Sequence, residues 1–252
     1  MLVLALGTAA RLLPLIRDAR KRYVFELIVG ARTDTGDASG AVLERAQPRE
    51  GWSAALEGAA RELTGPIDQT PPMHSARKIG GLPLYRLARK GRSVDRAPRR
   101  VTIHQLSVLG SRGSSARLEV ECDAGTYVRT LCEQIGERIG VLAHMGALVR
   151  TAAGPFRIAQ SKLPVEIERD PAACVVDPLA VLAQRRIGLS AREFAAFVHG
   201  NEVALDTRAA SLERCDEGPT LATLDGRIVG IGRIRLDEAG CWLRPTRVLA
   251  RE

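Results

Sequence analysis

The chain has 252 residues, of which 45% are hydrophobic and 26% charged, and this is the composition of a globular protein that can bury a substantial core. Disordered, collagen-like and fibrous proteins are excluded. Lys and Arg outnumber Asp and Glu by 37 to 29, which gives a net charge of +8 and favours a polyanionic partner.

The first sixteen residues carry Arg11 as their one charge and predict a buried strand over Leu2–Leu6 that leads into a helix near Thr8. A secretory signal is excluded because no basic region precedes the apolar run, and the run is too short to span a membrane. An apolar strand at residue 1 favours a natural start further upstream.

Alternating apolar residues then predict a half-buried strand from Arg22 to Gly30, followed by a polar loop. The next periodic segments predict two helices, a hairpin and a longer helix. Their expected bounds are Trp52 to Leu63, Pro83 to Gly91, Val101 to Cys122 with a turn at 110–115, and Tyr127 to Ile139 with a stop at Gly140.

After Pro178 the pattern changes. A capping box at Ser190 and Glu193 opens a short helix that stops at Gly200, and short strands at 221–224, 227–235 and 241–243 follow. The order of elements indicates an α+β fold rather than a regular βαβ array. We expect one large domain over 1–180 and a small β-rich domain over 181–252.

The excess positive charge is confined to one segment. Nine basic residues and a single acid, Asp95, lie between Arg77 and Arg100, and this accounts for the whole net charge of the chain. A charge run is usually a solvated face, but its concentration here favours phosphate binding. The basic residues are Arg77, Lys78, Arg86, Arg89, Lys90, Arg92, Arg96, Arg99 and Arg100.

The five cysteines and four histidines form no CxxC, HxH or HxxxH pair. We therefore expect no zinc ribbon, no disulfide framework and no metal site, and a reducing cytoplasm as the location.

Two polar loops are candidate sites. The first, Arg32–Asp37, follows a strand, and its Asp and Thr residues suit either a binding site or a self-hydrogen-bonded turn. The second, Gly125–Thr130, joins a strand to a helix start, where Tyr127 and Arg129 could bind a base or an anion or serve only the structure. From the residues alone, both alternatives stay open at each loop.

Four sequence blocks, in this order and spacing, resemble the bacterial TruB-type tRNA pseudouridine-55 synthases. They are KRYVFELIVGARTDTGDASG, PPMHSARKIGGLPLYRLARKG, GTYVRTLCEQIGERIG and GALVRTAAGPF, and the resemblance extends over about residues 1–180. It implies a pseudouridine synthase catalytic domain with a mixed, mainly antiparallel sheet and flanking helices. The C-terminal part would be a small PUA-like RNA-binding domain.

The same resemblance implies an isomerase that converts one uridine of the tRNA T-loop to pseudouridine by base flipping, without cofactor or metal. Tyr23 would stack on the flipped uracil and assist its deprotonation, and Arg129 would pair with the catalytic carboxylate. Tyr127 would shape the site and Leu148 would wall the base pocket. An RNA-clamping insertion would cover about 70–100, with substrate contacts from Arg77, Lys78, Arg86, Arg89 and Lys90.

The family's nucleophilic Asp lies in a G-x-L-D-x-x-A-T-G motif, and this sequence lacks the motif. Asp34 and Asp37 belong to a separate block, and Asp18 lies in the approach to Tyr23, so none of them is a convincing substitute. Without the nucleophile we expect no turnover from this chain, and an Arg129 that lacks its partner.

Two hypotheses follow. In the first, the gene encodes an active synthase whose recorded start is too far downstream. In the second, the short chain is a non-catalytic tRNA-binding or tRNA-folding protein derived from such an enzyme. A guided, dyskerin-type enzyme is a third alternative, but the basic insertion favours stand-alone recognition of the tRNA T-arm. We expect a cytoplasmic monomer with no guide RNA and no membrane.

Overall fold

The computed structural model describes residues 1–17, 19–205, 218–237 and 240–249. Within them the α-helices are α1 Leu13–Arg17, α2 Leu56–Glu62, α3 Leu84–Ala88, α4 Val128–Ile139, α5 Pro164–Arg169, α6 Pro178–Val181 and α7 Ala191–Val198. Short 3₁₀ helices cover Gly7–Leu12, Trp52–Ala55, Ile158–Gln160 and Ala172–Cys174.

The strands fall in two groups along the chain. Before residue 160 they are β1 Lys21–Val29, β2 Ala31–Thr33, β3 Val42–Arg45, β4 Gly65–Gln69, β5 Lys78–Ile79, β6 Leu82–Pro83, β7 Arg99–Arg112, β8 Ser115–Cys122, β9 Ala143–Ala153 and β10 Phe156–Arg157. After it they are β11 Arg185–Gly188, β12 Val203–Ala204, β13 Thr220–Leu224, β14 Arg227–Asp237 and β15 Gly240–Val248.

The chain divides into two compact units. Unit 1 contains Met1 and residues 18–159, and unit 2 contains 2–17 and 160–252. This division falls after residue 159, which is 21 residues before the domain boundary predicted after residue 180, and that boundary stays a prediction. Residues 2–17 also belong to unit 2 because Leu12 is buried there in one cluster with Leu182, Leu221 and Ile231.

Unit 1 is built on a six-stranded sheet with the order β10-β9-β1-β8-β7-β4, in which each neighbouring pair is antiparallel. Strand β1 is central, and its alternation is the predicted one: Phe25, Leu27 and Val29 are buried on one face. That face packs against α2 and α4 to form the core of the unit. The expected α+β class and mainly antiparallel sheet are confirmed.

Helix α4 carries the core on one side only. Leu131, Ile135 and Ile139 recur every four residues and are at most 1% exposed, and Gly140 ends the helix in the left-handed conformation at φ 70°. Glycine suits this position because it has no Cβ to clash at positive φ. The predicted helix and its stop are thus confirmed.

Unit 2 contains a five-stranded sheet with the order β11-β13-β14-β15-β12, in which β11 and β13 are parallel and the other pairs antiparallel. The predicted hairpin at Asp225-Gly226 joins β13 to β14, and both turn residues have positive φ. Ser190 and Glu193 form the predicted capping box at the start of α7. This is the separate β-rich C-terminal part.

The predicted strand over Leu2–Leu6 is wrong. These residues adopt neither helix nor strand, and the side chains of Leu2, Leu4 and Leu6 are 72%, 71% and 74% exposed. A strand needs a neighbour for its N–H and C=O groups, and no described strand pairs with this segment. The helix expected near Thr8 does form, first as a 3₁₀ turn and then as α1.

None of the helices in the described residues is long and apolar enough to cross a lipid bilayer.

Candidate active site around Arg129

Arg129 is the second residue of α4, and three groups fix its guanidinium. Nη1 donates to the carbonyl of Thr35 at 3.1 Å and lies 3.3 Å from Oδ2 of Asp37, while Nη2 donates to the carbonyl of His74 at 2.7 Å. The Arg129 side chain is 22% exposed and that of Asp37 19%. A charge this sheltered needs partners, and the Thr35–Asp37 loop and the backbone at His74 supply them.

Asp37 is held in the carboxylate form. Its Oδ1 accepts hydrogen bonds from the hydroxyl of Thr35 at 2.8 Å and from the amide and hydroxyl of Ser39 at 3.1 Å and 2.5 Å. Partial burial by itself would raise its pKa, but the hydrogen bonds from Ser39 and Thr35 and the charge of Arg129 lower the pKa of Asp37 below its ordinary value. The pair is therefore ionic at neutral pH.

The loop that carries Asp37 is fixed to the sheet. The hydroxyl of Thr33, 4% exposed, donates to the Asp37 carbonyl at 2.7 Å. Met145 of β9 bonds the loop on both sides, donating to the carbonyl of Gly36 at 3.0 Å and accepting from Ala38 at 2.8 Å. Asp37 is thus positioned by a strand on one side and by Arg129 on the other.

The expectation that Arg129 lacks a partner is wrong, since Asp37 supplies the carboxylate. Of the two interpretations of the Arg32–Asp37 loop, the self-hydrogen-bonded turn is observed, and the binding site stays a prediction. Asp34 belongs to a self-hydrogen-bonded turn, because its Oδ1 accepts from the amide of Ala41 at 2.8 Å. Asp37 instead faces the guanidinium. Asp18 lies outside the described residues.

Tyr23 of β1 lies opposite Arg150 of β9 and packs on the core of unit 1. Burial raises the pKa of Tyr23, a negative charge on Cys122 would act in the same direction, and the charge and hydrogen bond of Arg150 offset only part of the rise. The phenol is therefore protonated at neutral pH. Arg150 also binds the carbonyl of Met1 through Nε at 3.1 Å and Nη2 at 2.9 Å.

Leu148 of β9 is paired with Phe25, two residues beyond Tyr23 on the same strand. Directly paired residues of antiparallel strands share a face, so Leu148 and Tyr23 lie on the same face of the sheet. Leu148 is 43% exposed despite its apolar side chain. Its neighbour Val149 is 44% exposed and points to the other face.

Tyr127 is the N-cap residue of α4, with φ −100° and ψ 108°, and its own side chain caps nothing. Its backbone is held from β4 instead. The amide of Tyr127 donates to Oε1 of Gln69 at 2.9 Å, and its carbonyl accepts from Nε2 of Gln69 at 3.3 Å. Sequence reasoning missed Gln69, because a single glutamine at a strand end carries no pattern.

The basic segment lies at the surface of unit 1. Among its nine basic residues, eight are exposed and Arg96 is half-buried, donating to the carbonyl of Pro71 at 3.0 Å. Strands β5 and β6 form a small hairpin that leads into α3, where the guanidinium of Arg89 lies 5.5 Å from the ring centre of Tyr85. The exposed set contains Arg77, Lys78, Arg86, Arg89 and Lys90, whose contacts with phosphate stay a prediction.

A polar cavity of about 440 Å³ opens beside Arg129, between the Arg32–Asp37 loop and α4. Glu133, one turn further along α4, lines it. Burial raises the pKa of Glu133, the charge of Glu137 adds to the rise, and the charges of Arg32, Arg129 and Arg96 oppose it. In the described part of the chain, no group of three or more His, Cys, Asp or Glu residues could hold a metal ion.

Unit 1 thus carries a fixed cation, a half-buried phenol and an exposed apolar residue, together with a basic surface. A guanidinium can orient a carboxylate or a carbonyl oxygen, and an aromatic ring can stack on a base. This set suits an RNA base that has left its helix.

Comparison with known proteins identifies the family. Residues 1–128 match the family described as "TruB family pseudouridylate synthase (N terminal domain)", and residues 129–168 match "tRNA pseudouridylate synthase B C-terminal domain". The first match ends one residue before Arg129.

Curated relatives agree with this match. The protein named tRNA pseudouridine synthase B of Geobacillus thermodenitrificans (strain NG80-2) is 44% identical over 72% of this chain and 62% of the relative. Its namesake in Azoarcus sp. (strain BH72) is 35% identical over 99% of this chain and 81% of the relative. The chain therefore spans between about three fifths and four fifths of the length of these two relatives.

Two solved structures have a similar fold. A crystal structure of a Cbf5–Nop10–Gar1 complex superposes with a TM-score of 0.66 at 19% identity, over 98% of this chain and 71% of the other. An H/ACA ribonucleoprotein bound to a substrate RNA containing 2′-deoxyuridine gives 0.62 at 18% identity, with the same coverage. These two structures show the fold, and the sequence matches show that the chain belongs to the TruB family of pseudouridylate synthases.

Proposed function

We propose that this protein acts in tRNA modification as a pseudouridine synthase that isomerises one uridine of the T-loop. The observation that carries the proposal is the guanidinium of Arg129, held by Thr35, Asp37 and His74. Arg129 opens the second of the two matched regions, and its three partners lie in the first. The relatives named tRNA pseudouridine synthase B support the choice of tRNA as substrate.

The reaction breaks the bond between C1′ of the ribose and N1 of uracil and forms a bond between C1′ and C5. One proton leaves C5 and one is taken up at N1, so neither an oxidant nor a co-reactant is consumed. The protein must hold the turned base in place while this exchange occurs. We assign stacking to Tyr23, the apolar wall to Leu148, and orientation of the reacting carboxylate to Arg129.

The protonated state of Tyr23 refines its assignment. A phenol whose pKa lies above its ordinary value is a weak base at neutral pH, so stacking is its main contribution in the resting protein. Any proton transfer to Tyr23 oxygen requires that the bound substrate first lower its pKa.

The basic segment is our candidate for the T-arm contact. Its eight exposed cations follow directly on His74, whose carbonyl binds Arg129, so phosphate contacts and the base pocket share one anchor. Phosphate contacts of this kind set position and affinity. We propose recognition of the bare tRNA T-arm by a cytoplasmic monomer without a guide RNA.

Two observations favour a second function for residues 1–252 taken by themselves. The sequence lacks the G-x-L-D-x-x-A-T-G motif, and the carboxylate beside Arg129 is already engaged by Thr35 and Ser39. A chain without a free nucleophile would bind or refold tRNA without turnover.

Both functions are tested with a T-arm stem-loop that carries tritium at C5 of its uridines. Purified protein 1–252 should bind the stem-loop and release no tritium. A protein that also carries the family motif before Met1 should release one equivalent per stem-loop. If neither protein binds the stem-loop, the RNA-directed function is contradicted. Release of tritium by protein 1–252 would contradict the interpretation that Asp37 is a partner of Arg129 and does not replace the missing nucleophile.

A further inference from the structure

Gln69 is the last residue of β4 and one of the few polar side chains in the interior of unit 1, with 1% exposure. Burying an amide group is unfavourable unless its donors and acceptor find partners. All three hydrogen-bonding functions of Gln69 do find partners, and each partner belongs to α4 or its N-cap.

The amide of Gln69 pairs with the backbone of Tyr127 as a neighbouring strand would. Oε1 accepts from the Tyr127 amide at 2.9 Å, and Nε2 donates to the Tyr127 carbonyl at 3.3 Å. The same carbonyl accepts the first hydrogen bond of α4, from the amide of Leu131 at 3.0 Å. Gln69 therefore supplies from β4 the acceptor for the N-cap amide that the Glu or Gln of a capping box usually gives from within the helix.

A second glutamine fixes the orientation of the first. Nε2 of Gln69 also donates to Oε1 of Gln134 at 3.2 Å, and Nε2 of Gln134 donates to the carbonyl of Asp68 at 2.9 Å. The two glutamines thus cross-link β4 and α4 in both directions. Turning the Gln69 amide over would place its NH₂ group against the Tyr127 amide and break both contacts to Tyr127.

This cross-link lies between Arg129, which orients the reacting carboxylate in the proposed function, and the basic segment, which contacts the T-arm there. Tyr127 precedes Arg129 by two residues in the first turn of α4. Five residues after Gln69, His74 accepts the Arg129 Nη2 bond at 2.7 Å, and the basic segment follows. A ring of contacts therefore runs through Gln69, Tyr127, Arg129 and His74. Within this ring, Gln69 fixes the start of α4 and the chain that leads into the basic segment.

We propose that Gln69 is a positioning residue that sets the direction of the Arg129 guanidinium and ties the basic segment to it. The hydrogen-bonded ring is independent of the function, whereas the consequence for RNA rests on the proposed T-arm binding. Packing alone does not explain the side chain, because an apolar residue of the same size would fill the space without bonding Tyr127.

The first test needs no RNA. Hydrogen exchange at the amides of Tyr127 and Leu131 should become about tenfold faster in Gln69→Leu, because one amide loses its acceptor and the first turn frays. Exchange in the rest of α4 should change less. Unchanged exchange at both amides would overturn the proposal, whatever the protein binds.

The second test uses the isosteric Gln69→Glu variant. At pH 8 the new carboxylate still accepts the hydrogen bond from the Tyr127 amide. Its second oxygen, however, faces the Tyr127 carbonyl and Gln134 Oε1 and has no proton to donate to them. Its pKa should be raised in the folded state, so stability is lost as the pH rises through that pKa and regained towards pH 5. Gln105→Glu makes the same charge change at an exposed residue of β7 and should follow the unaltered protein.

Affinity for the T-arm stem-loop is then measured for both variants between pH 5 and pH 8. We expect Gln69→Glu to bind several-fold more weakly than the unaltered protein at pH 8 and to recover as the pH falls, while Gln69→Leu stays weak throughout. Equal affinity of Gln69→Leu and the unaltered protein would overturn the positioning role. If the unaltered protein binds no stem-loop, the proposed function fails. The hydrogen-exchange test still shows whether Gln69 holds the start of α4.

Discussion

The guanidinium of Arg129 and the carboxylate of Asp37 lie 3.3 Å apart, although 92 residues separate them in the chain. The contact joins the first turn of α4 to a loop fixed on β9 by Met145. It also leaves Nη2 of Arg129 engaged with His74, so the guanidinium has one defined direction. Asp37 therefore stabilises the local fold and orients the cation that we assign to catalysis.

The first prediction concerns the energy of this pair. Asp37→Ala and Arg129→Ala should each destabilise unit 1, and the double variant should lose less than the sum of the two. Because both side chains are largely sheltered, we expect a coupling free energy of about 1 kcal/mol to 2 kcal/mol from a chemical denaturation cycle. Additive losses would show that the pair contributes nothing.

The same pair has a defined pH dependence. Since the pKa of Asp37 is lowered in the folded protein, its contribution is present above the unfolded value of about 4 and is lost as the pH falls through the folded value. Asp37→Asn should therefore be less stable than the unaltered protein at pH 7, and the gap should close in acid.

The second prediction concerns the Tyr23 phenol. Burial is the main cause that raises the pKa of Tyr23, so this tyrosine, one of three in the chain, should ionise at a pH above 10. Absorbance at 295 nm, followed in the unaltered protein and in Tyr23→Phe, isolates this group by difference. An ionisation of Tyr23 below pH 9 would contradict the burial of the phenol and restore it as a resting-state base.

The third prediction separates the two faces of β9. Leu148→Ala should cost less than about 1 kcal/mol of stability, because the side chain is 43% exposed, yet it should weaken capture of a flipped base. A T-arm stem-loop with 5-fluorouridine at the target position reports capture through its fluorine resonance. Val149→Ala is the matched control, with 44% exposure on the opposite face, and should leave the resonance unchanged. Equal effects of the two variants would exclude Leu148 as the wall.

The fourth prediction concerns the basic segment. Replacing Arg86, Arg89 and Lys90 together by Ala should reduce T-arm affinity by at least about tenfold and lower the slope of log K against log salt by about 2 to 3. The control replaces Arg45, Arg49 and Arg61, which are also exposed on unit 1 and make the same change in charge. If the two triple variants bind the stem-loop with equal affinity, the basic segment makes no specific phosphate contacts and the excess charge attracts RNA only by long-range electrostatics.

Much of unit 1 is predictable because single elements carry complete patterns. Strand β1 alternates from Tyr23 to Val29, and α4 repeats every four residues before a glycine stop. Strand β9 was missed since His144, Gly146 and Arg150 interrupt its apolar pattern, although Leu148 was identified through the resemblance. The strand predicted at Leu2–Leu6 failed because apolar alternation indicates only a face, and the partner strand it needs is a tertiary property.

The candidate site was predictable in its parts and not in its connections. Arg129, Tyr127 and Tyr23 were found through motifs that lie within short blocks. The pairing of Arg129 with Asp37 and the cross-link from Gln69 to Tyr127 join residues 92 and 58 positions apart, and no local pattern encodes them. The roles assigned to Tyr23, Arg129, Tyr127 and Leu148 and to the five basic contacts all stay predictions.

The central claim, that this gene provides a T-loop pseudouridine synthase, is tested most directly in the tRNA itself. Pseudouridine is mapped in tRNA from cells that carry the gene and from cells in which it is deleted. We predict that one T-loop position changes from pseudouridine to uridine on deletion and that an intact copy of the gene restores it. Unchanged pseudouridine at that position after deletion would contradict the account.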